Sequence, residues 1–229
     1  MSGVPIPAEV VQVAGKRLTA AAEELDGNRV AALVVELAEE WGVVRLWDDV
    51  CVPVLAALSG RTAAGIAVEH ALSEGVRVGL DVFRRDPGVG PAADGVLLAG
   101  AEQEEHGLGL HALAAALRER GRGCLLVGPA LPWAALASAV GRARPHAVAV
   151  WSQSPVTGRS YRIGRFAREF PAVRVYGAGP GWVEPLAPPV TRLDSLSAAI
   201  EVLWARGTHS VVAAPMVTRV IPIRTRTVS

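Results

Sequence analysis

The sequence predicts an α/β protein in two parts: a four-helix bundle over residues 1–85 and a parallel-sheet domain over 95–206. Residues 86–94 read as a linker and 207–229 as a C-terminal tail. Three observations predict this. Apolar residues recur at helical spacing through the first part. In the second, short continuous apolar runs alternate with amphipathic stretches, the pattern of a parallel sheet covered on both faces. Between them lies Asp86-Pro-Gly-Val-Gly-Pro-Ala-Ala-Asp94, whose glycines and prolines suit a connection.

Glu9–Leu25 places Val10, Val13, Leu18, Ala21 and Ala22 near one face and closes at Asp26-Gly27. Asn28 is the expected cap of a second helix carrying Val30, Leu33, Val34 and Leu37. A third helix runs through Leu46, Val50, Val54 and Leu58, bent or started at Pro53, and a fourth from Thr62 to about Arg85. The expected strands are Gly95–Ala99, Gly123–Val127, Ala147–Trp151 and Ala172–Tyr176. The helices expected among and after them are Leu108–Arg120, Trp133–Arg142, Ser160–Phe170 and Ser195–Ala205. The tail either adds an edge strand through Val211–Val212 or stays partly loose.

At 229 residues, 51% hydrophobic and 20% charged, the chain has the means to bury a core, which excludes a disordered protein. A net charge of +1 argues against a general nucleic-acid binder. The charge is uneven: residues 1–94 hold 8 basic and 14 acidic side chains, residues 95–229 hold 15 and 8. The second part is the better host for a phosphate-bearing ligand. Cys51 and Cys124 lie in apolar runs without metal-ligand spacing and read as buried thiols of a reducing compartment. No signal peptide is read at the start. The charge-free run Gly123 to Gly141 is broken by Gly128-Pro129 and Pro132, so it reads as strand, turn and helix, not a membrane span. The expected location is the cytoplasm.

In parallel α/β sheets ligands bind at the carboxyl ends of the strands. Directly after the first strand stands Glu102-Gln-Glu104-Glu-His106-Gly-Leu-Gly109. On its own this stretch reads as a solvated acidic loop carrying an incidental histidine. It also has a mechanical reading. His106 offers one imidazole nitrogen to a metal while Glu104 takes the proton on the other and fixes the tautomer; Gly109 lets a bulky ligand approach the backbone. One histidine does not hold a bare zinc ion, but it serves as an axial ligand to a metal already held by a macrocycle.

Glu104-x-His106-x-x-Gly109 resembles the Asp/Glu-x-His-x-x-Gly motif of cobalamin-binding domains, a Rossmann-like (flavodoxin-like) family. The family's later Ser-x-Leu is met here by Val150-Trp-Ser152-Gln-Ser154: the family spacing from the motif glycine reaches Trp151, with Ser152 beside it. Its Gly-Gly is matched loosely by Gly177-Ala-Gly179-Pro-Gly181, and Gly128-Pro-Ala-Leu-Pro132 fits its Leu-Gly-x-x-x-Pro. Glu69-His70 resembles the end of the Trp-x9-Glu-His signature in the bundle of MerR-type cobalamin-dependent light-sensing regulators. The resemblance implies cobalamin (adenosylcobalamin or methylcobalamin) held between bundle and sheet domain. It makes His106 the lower cobalt ligand and Glu104 its partner, with Glu69 and His70 facing the upper ligand. Ser152, Ser154, Gly177 and Gly179 would line the displaced nucleotide tail.

The sequence also departs from that pattern. Ser59 and Gly60 stand where light-sensing relatives carry tryptophan and a second histidine. Trp47, Trp41 or His70 are candidate substitutes, and nothing in the sequence selects among them. His70 also reads as half of a buried pair with Glu69. No helix-turn-helix is read ahead of the bundle, so direct DNA binding is not expected, and output would pass through a partner protein or a homo-oligomer. The expected function is a cobalamin-binding sensor or regulator. The alternatives are a corrinoid methyl carrier serving a methyltransferase, and a domain that has lost cobalamin and serves as a protein-interaction module or binds another ligand. No nucleophile–base–acid set points to catalysis by this chain alone. His111, His146 and the Arg159, Arg162, Arg165 and Arg168 series read as surface, His209 as exposed, and Trp133, Trp182 and Trp204 as packing.

Overall fold

The computed structural model describes residues 6–58, 62–84 and 95–204. Ser59 and Gly60, the linker, His209 and the tail with Val211–Val212 lie outside the described residues, as does the Trp204 side chain.

The first part holds α1 (Ala8–Glu23), α2 (Gly27–Trp41), a short α3 (Val43–Arg45), a π-helical turn (Leu46–Cys51), α4 (Val52–Leu58) and α5 (Ala63–Leu80). The second α-helix is capped by Asp26, not Asn28: Asp26 Oδ1 accepts the Arg29 N–H at 2.9 Å. Leu25, at φ 56°, turns the chain left-handed between the two helices and brings Asp26 into that position. Thr62 caps α5 by accepting the Gly65 N–H at 3.1 Å. Pro53 neither starts nor simply bends its helix. It lacks an N–H, and its ring would crowd the Asp49 carbonyl one turn earlier. The turn before it widens accordingly, the Val52 N–H reaching back to the Trp47 carbonyl. α2 and α5 touch almost backbone to backbone. A Cβ on Gly75 would lie 2.5 Å from Val30 Cβ, and one on Gly79 2.6 Å from Val34 Cβ.

The second part runs β1 (Val96–Gly100), α6 (Leu108–Glu119), β2 (Leu125–Gly128), α7 (Trp133–Ala143), β3 (Ala147–Trp151), α8 (Ser160–Glu169), β4 (Arg174–Ala178), β5 (Thr191–Leu193) and α9 (Leu196–Trp204). All strand pairs are parallel and the order is β2-β1-β3-β4-β5. The helices expected in this second part are present to within one residue at each end, whereas the fourth bundle helix, expected to about Arg85, ends at Leu80. The expected strands are present with shifts of up to two residues, and β5 was not expected. Its three residues are too few for a periodic signal, and Pro185, Pro188 and Pro189 precede it.

Side chains alternate between two cores. Leu97, Ala99, Val148 and Val150 pack on Leu136, Val140, Ile163 and Phe166 of α7 and α8. Val96, Leu98, Ala147 and Ala149 face α6 and α9, and this apolar cluster continues without a break into the bundle through Val30, Val34, Leu46 and Leu72. The bundle therefore shares a core with the sheet. Polar contacts pin the seam. Glu119 at the end of α6 accepts the Val43 N–H at 2.9 Å where α3 starts. His111, expected at the surface, is half-buried with Nδ1 3.5 Å from Asp81 Oδ1 just past α5. His146, also expected at the surface, is half-buried beside Gly95. Cys51 and Cys124 are buried free thiols. Among the described residues no helix is long and apolar enough to cross a membrane.

Candidate functional site

The strand order reverses direction between β1 and β3, and the loops leaving those two strands part there into a crevice, the position where such sheets bind ligands. The β1–α6 loop carries Glu104 and His106; the β3–α8 loop carries Ser152, Gln153, Ser154 and Thr157.

Glu104 is 1% exposed and joins the two loops. Its Oε1 accepts the His106 backbone N–H at 3.0 Å and meets His106 Nδ1 at 2.7 Å. Its Oε2 accepts the Gln153 and Ser154 N–H groups at 2.8 and 3.0 Å and the Thr157 hydroxyl at 2.5 Å. Burial alone would raise this carboxyl's pKa. The Thr157 hydroxyl, the Ser154 and His106 N–H groups and the His106 ring outweigh it and bring the pKa down to about 2. The ionised carboxylate accepts hydrogen bonds only, so a hydrogen sits on His106 Nδ1, and in the neutral ring that leaves the lone pair on Nε2. The His106 side chain is 67% exposed, and it lines a cleft.

That cleft, about 780 Å³, lies between the bundle and the carboxyl edge of the sheet. Trp47, Asp48, Val52, Leu55, Glu69 and Ser73 line its bundle side; His106, Gly109, Trp151, Gln153, Gly179 and Arg192 line the sheet side. The π-helical turn carries Trp47 and Asp48 there. Burial and the neighbouring Asp49 push the Asp48 carboxyl up from its ordinary pKa.

The sequence-predicted residues divide as follows. Glu69 and His106 face one cleft from opposite sides. His70 is not among the residues that line it, and it is exposed, so it is not a buried partner of Glu69. One residue of helix turns it about 100° from Glu69, whereas Ser73, a full turn on, shares the Glu69 face. Of the candidate aromatic substitutes, Trp47 lines the cleft and Trp41 packs against the core. Gly109 faces the cleft, but what approaches its backbone is the Trp151 ring. Ser152 is fully buried; its hydroxyl donates to the Ser154 carbonyl and meets the Thr157 hydroxyl at 2.8 Å. The Ser154 hydroxyl accepts the Val156 N–H at 3.3 Å. Gly177 is covered by Leu186 and Trp182, and Trp182 is fully buried with Nε1 donating to the Ala178 carbonyl. Gly179, at φ 95°, borders the cleft against the Ser152 carbonyl. Sequence reasoning missed Asp48, Ser73, Thr157 and Arg192 as site residues, since no motif spacing joins them.

Among the described residues no group of three or more His, Cys, Asp and Glu side chains is gathered as for a metal ion. One imidazole nitrogen above a largely apolar cleft therefore does not suit a bare cation, and it does suit a metal brought in by a macrocycle that needs a single axial donor.

No protein-family model matches the sequence, and no curated protein matches it. Among solved structures, the chain is similar to the monomethylamine corrinoid protein of Methanosarcina barkeri. The TM-score is 0.61 at 14% identity, over 83% of this chain and 97% of that one. It is also similar to a chain of the methanol:cobalamin methyltransferase complex MtaBC from Methanosarcina barkeri, with TM-score 0.43 at 16% identity over 89% and 85%. A third similarity is to a novel cobalamin-binding protein from Desulfitobacterium hafniense DCB-2, with TM-score 0.42 at 13% identity over 87% and 98%. The first of these shows the fold that the sequence predicts, an α/β chain in which helices accompany an all-parallel five-stranded sheet.

Proposed function

We propose that this chain binds a corrinoid in the cleft between bundle and sheet edge, with His106 Nε2 as the lower axial ligand. The observation that carries this reading is the Glu104–His106 pair at the strand-order reversal. A buried, ionised carboxylate holds the imidazole by Nδ1 and leaves Nε2 to the cleft. A carboxylate behind a ligating histidine fixes the ring's orientation and raises its basicity. Trp47, Val52 and Leu55 cover the opposite side, where they exclude water from the upper face, and Glu69 and Ser73 supply polar contacts there. When bound, a corrinoid supplies a cobalt centre that carries and releases an alkyl group on its upper face. The likeness to a corrinoid protein supports the reading.

The use we infer first is sensing: a corrinoid contacted by bundle and sheet together lets a change in its upper ligand alter how the two layers meet. Output then passes to a partner protein or a second copy of the chain. A second use, methyl carriage for a partner methyltransferase, is supported by the likeness, at a TM-score of 0.61, to a monomethylamine corrinoid protein over 97% of that chain.

The test is loading of the purified protein with each corrinoid under dim red light, followed by desalting and a visible spectrum beside His106→Ala. Retained corrinoid whose spectrum changes in the variant supports the proposal. Retention of none, by wild type, contradicts it and leaves an interaction module. Illumination of the loaded protein then tests sensing, and transfer of methyl from the loaded protein by an added methyltransferase tests carriage.

A further inference from the structure

We propose that Trp151 fills the groove behind His106 that a nucleotide tail would need, so that this chain selects a corrinoid without a lower base, of the cobinamide class. The inference rests on the corrinoid reading above and names the substrate class of the same site.

Trp151 ends β3 at the strand-order reversal, in register with Gly100 of β1 and Ala178 of β4. Its six-membered ring lies flat against the backbone at Gly109, the one residue of α6 without a side chain. A Cβ on Gly109 would stand 2.3 Å from Cη2, 2.5 Å from Cζ2 and 2.6 Å from Cζ3. Gly179 brackets the ring from the β4 side, where a Cβ would lie 3.1 Å from Trp151 Cδ2. The space that two glycines open is thus occupied by an indole of the chain itself. Its Nε1 is buried and meets no hydrogen-bond partner among the described residues. Shape complementarity, not a polar anchor, holds the ring there.

Polar groups of the loop that follows β3 are engaged. The Ser152 hydroxyl is engaged by the Ser154 carbonyl and by Thr157, and the Ser154 N–H by Glu104. The flank at Gly177 is closed by Leu186, whose Cδ1 would stand 2.5 Å from a Cβ there, and by the buried Trp182. A flat base entering behind His106 would have to displace an indole from a close-packed position and would find the Ser152 hydroxyl and the Ser154 N–H already engaged. The cleft in front of His106 remains open. A corrinoid without a base needs only that cleft, and it brings no internal ligand to compete with His106.

The test titrates wild-type protein separately with cobinamide and with cobalamin, read by visible absorption and by quenching of tryptophan fluorescence. Cobinamide is expected to bind about tenfold tighter or more, and Trp151→Ser to shift the ratio of the two affinities toward cobalamin by about tenfold. Cobalamin binding to wild type as tightly as cobinamide, or more tightly, overturns the inference while leaving the corrinoid reading standing. Binding of neither removes the corrinoid reading and the inference with it. Where Trp151→Ser does not give a cooperative melt, the wild-type ratio alone decides.

Discussion

Glu104 and His106 stand two residues apart, with Oε1 and Nδ1 separated by 2.7 Å, and the carboxylate that orients the ring also ties down a loop 49 residues later. Orientation of the imidazole and closure of the β1–α6 and β3–α8 loops are therefore one device. Glu104→Ala removes a buried carboxylate that accepts from three backbone N–H groups and one hydroxyl, all in part-buried hydrogen bonds. Leaving a fully buried donor unpaired costs about 1–3 kcal/mol; these donors are part-buried, so water and loop relaxation recover part of it. The expected loss is about 3 kcal/mol in urea unfolding at neutral pH, together with a roughly tenfold to hundredfold loss of corrinoid affinity. His106→Ala, at an exposed side chain, is expected to cost less than about 1 kcal/mol while changing the bound spectrum.

The same carboxylate sets an acid limit. Its pKa is about 2 in the folded protein against an ordinary 4.5, so the unfolded chain binds its proton more readily. Its contribution to stability is complete above pH 4.5 and is lost progressively as pH falls toward 2. Circular dichroism followed through that window is expected to show a shallower acid limb for Glu104→Gln than for wild type. Glu36 and Glu74, held low by Arg17 and Arg77 at the surface, shift in the same direction in both proteins and do not blur the difference.

The α2–α5 seam is fixed by Gly75 and Gly79. A methyl group at either position would meet Val30 or Val34 at 2.5–2.6 Å, with backbone carbonyls close behind. Gly75→Val and Gly79→Val are expected to lower stability by about 2 kcal/mol or more, beyond any gain in helix propensity, and to weaken the bundle's grip on the cleft. Thermal melts of the two variants beside an exposed control, Val82→Ala, check this.

Cys51 is buried among bundle side chains, and burial pushes its thiol pKa up to about 12. Cys124 is equally covered. Neither thiol is expected to react with a chromogenic disulfide in the native protein at mildly alkaline pH, and both are expected to react on unfolding. Fast labelling of the folded chain would contradict the packing of α6 against the bundle and sheet.

Much of this fold was legible because its signals are periodic and local. The runs at 147–151 and 160–169 announce a buried strand and an amphipathic helix without help from elsewhere. Glu104 and His106 were legible as a pair because two residues of loop bring them together. What binds the other oxygen of Glu104 was not, since Gln153, Ser154 and Thr157 come from another loop. The helix cap fell on Asp26 and not Asn28 because Leu25 takes a left-handed turn that composition does not reveal. Selection of Trp47 over Trp41 and His70 depends on a π-helical turn imposed by Pro53, and a one-residue rotation on a helix decides Glu69 against His70. Trp151 was reached by spacing, yet its burial on Gly109 follows from strand register.

The central claim is that His106 supplies the lower ligand of a bound corrinoid. The most direct measurement is the electron paramagnetic resonance spectrum of the protein loaded with cobinamide and reduced to the Co(II) form. One preparation carries ordinary histidine and the other histidine labelled with heavy nitrogen. The account predicts a nitrogen triplet on the cobalt lines that becomes a doublet on labelling and disappears in His106→Ala. A spectrum without nitrogen splitting, or a splitting indifferent to the label and to His106, would contradict it.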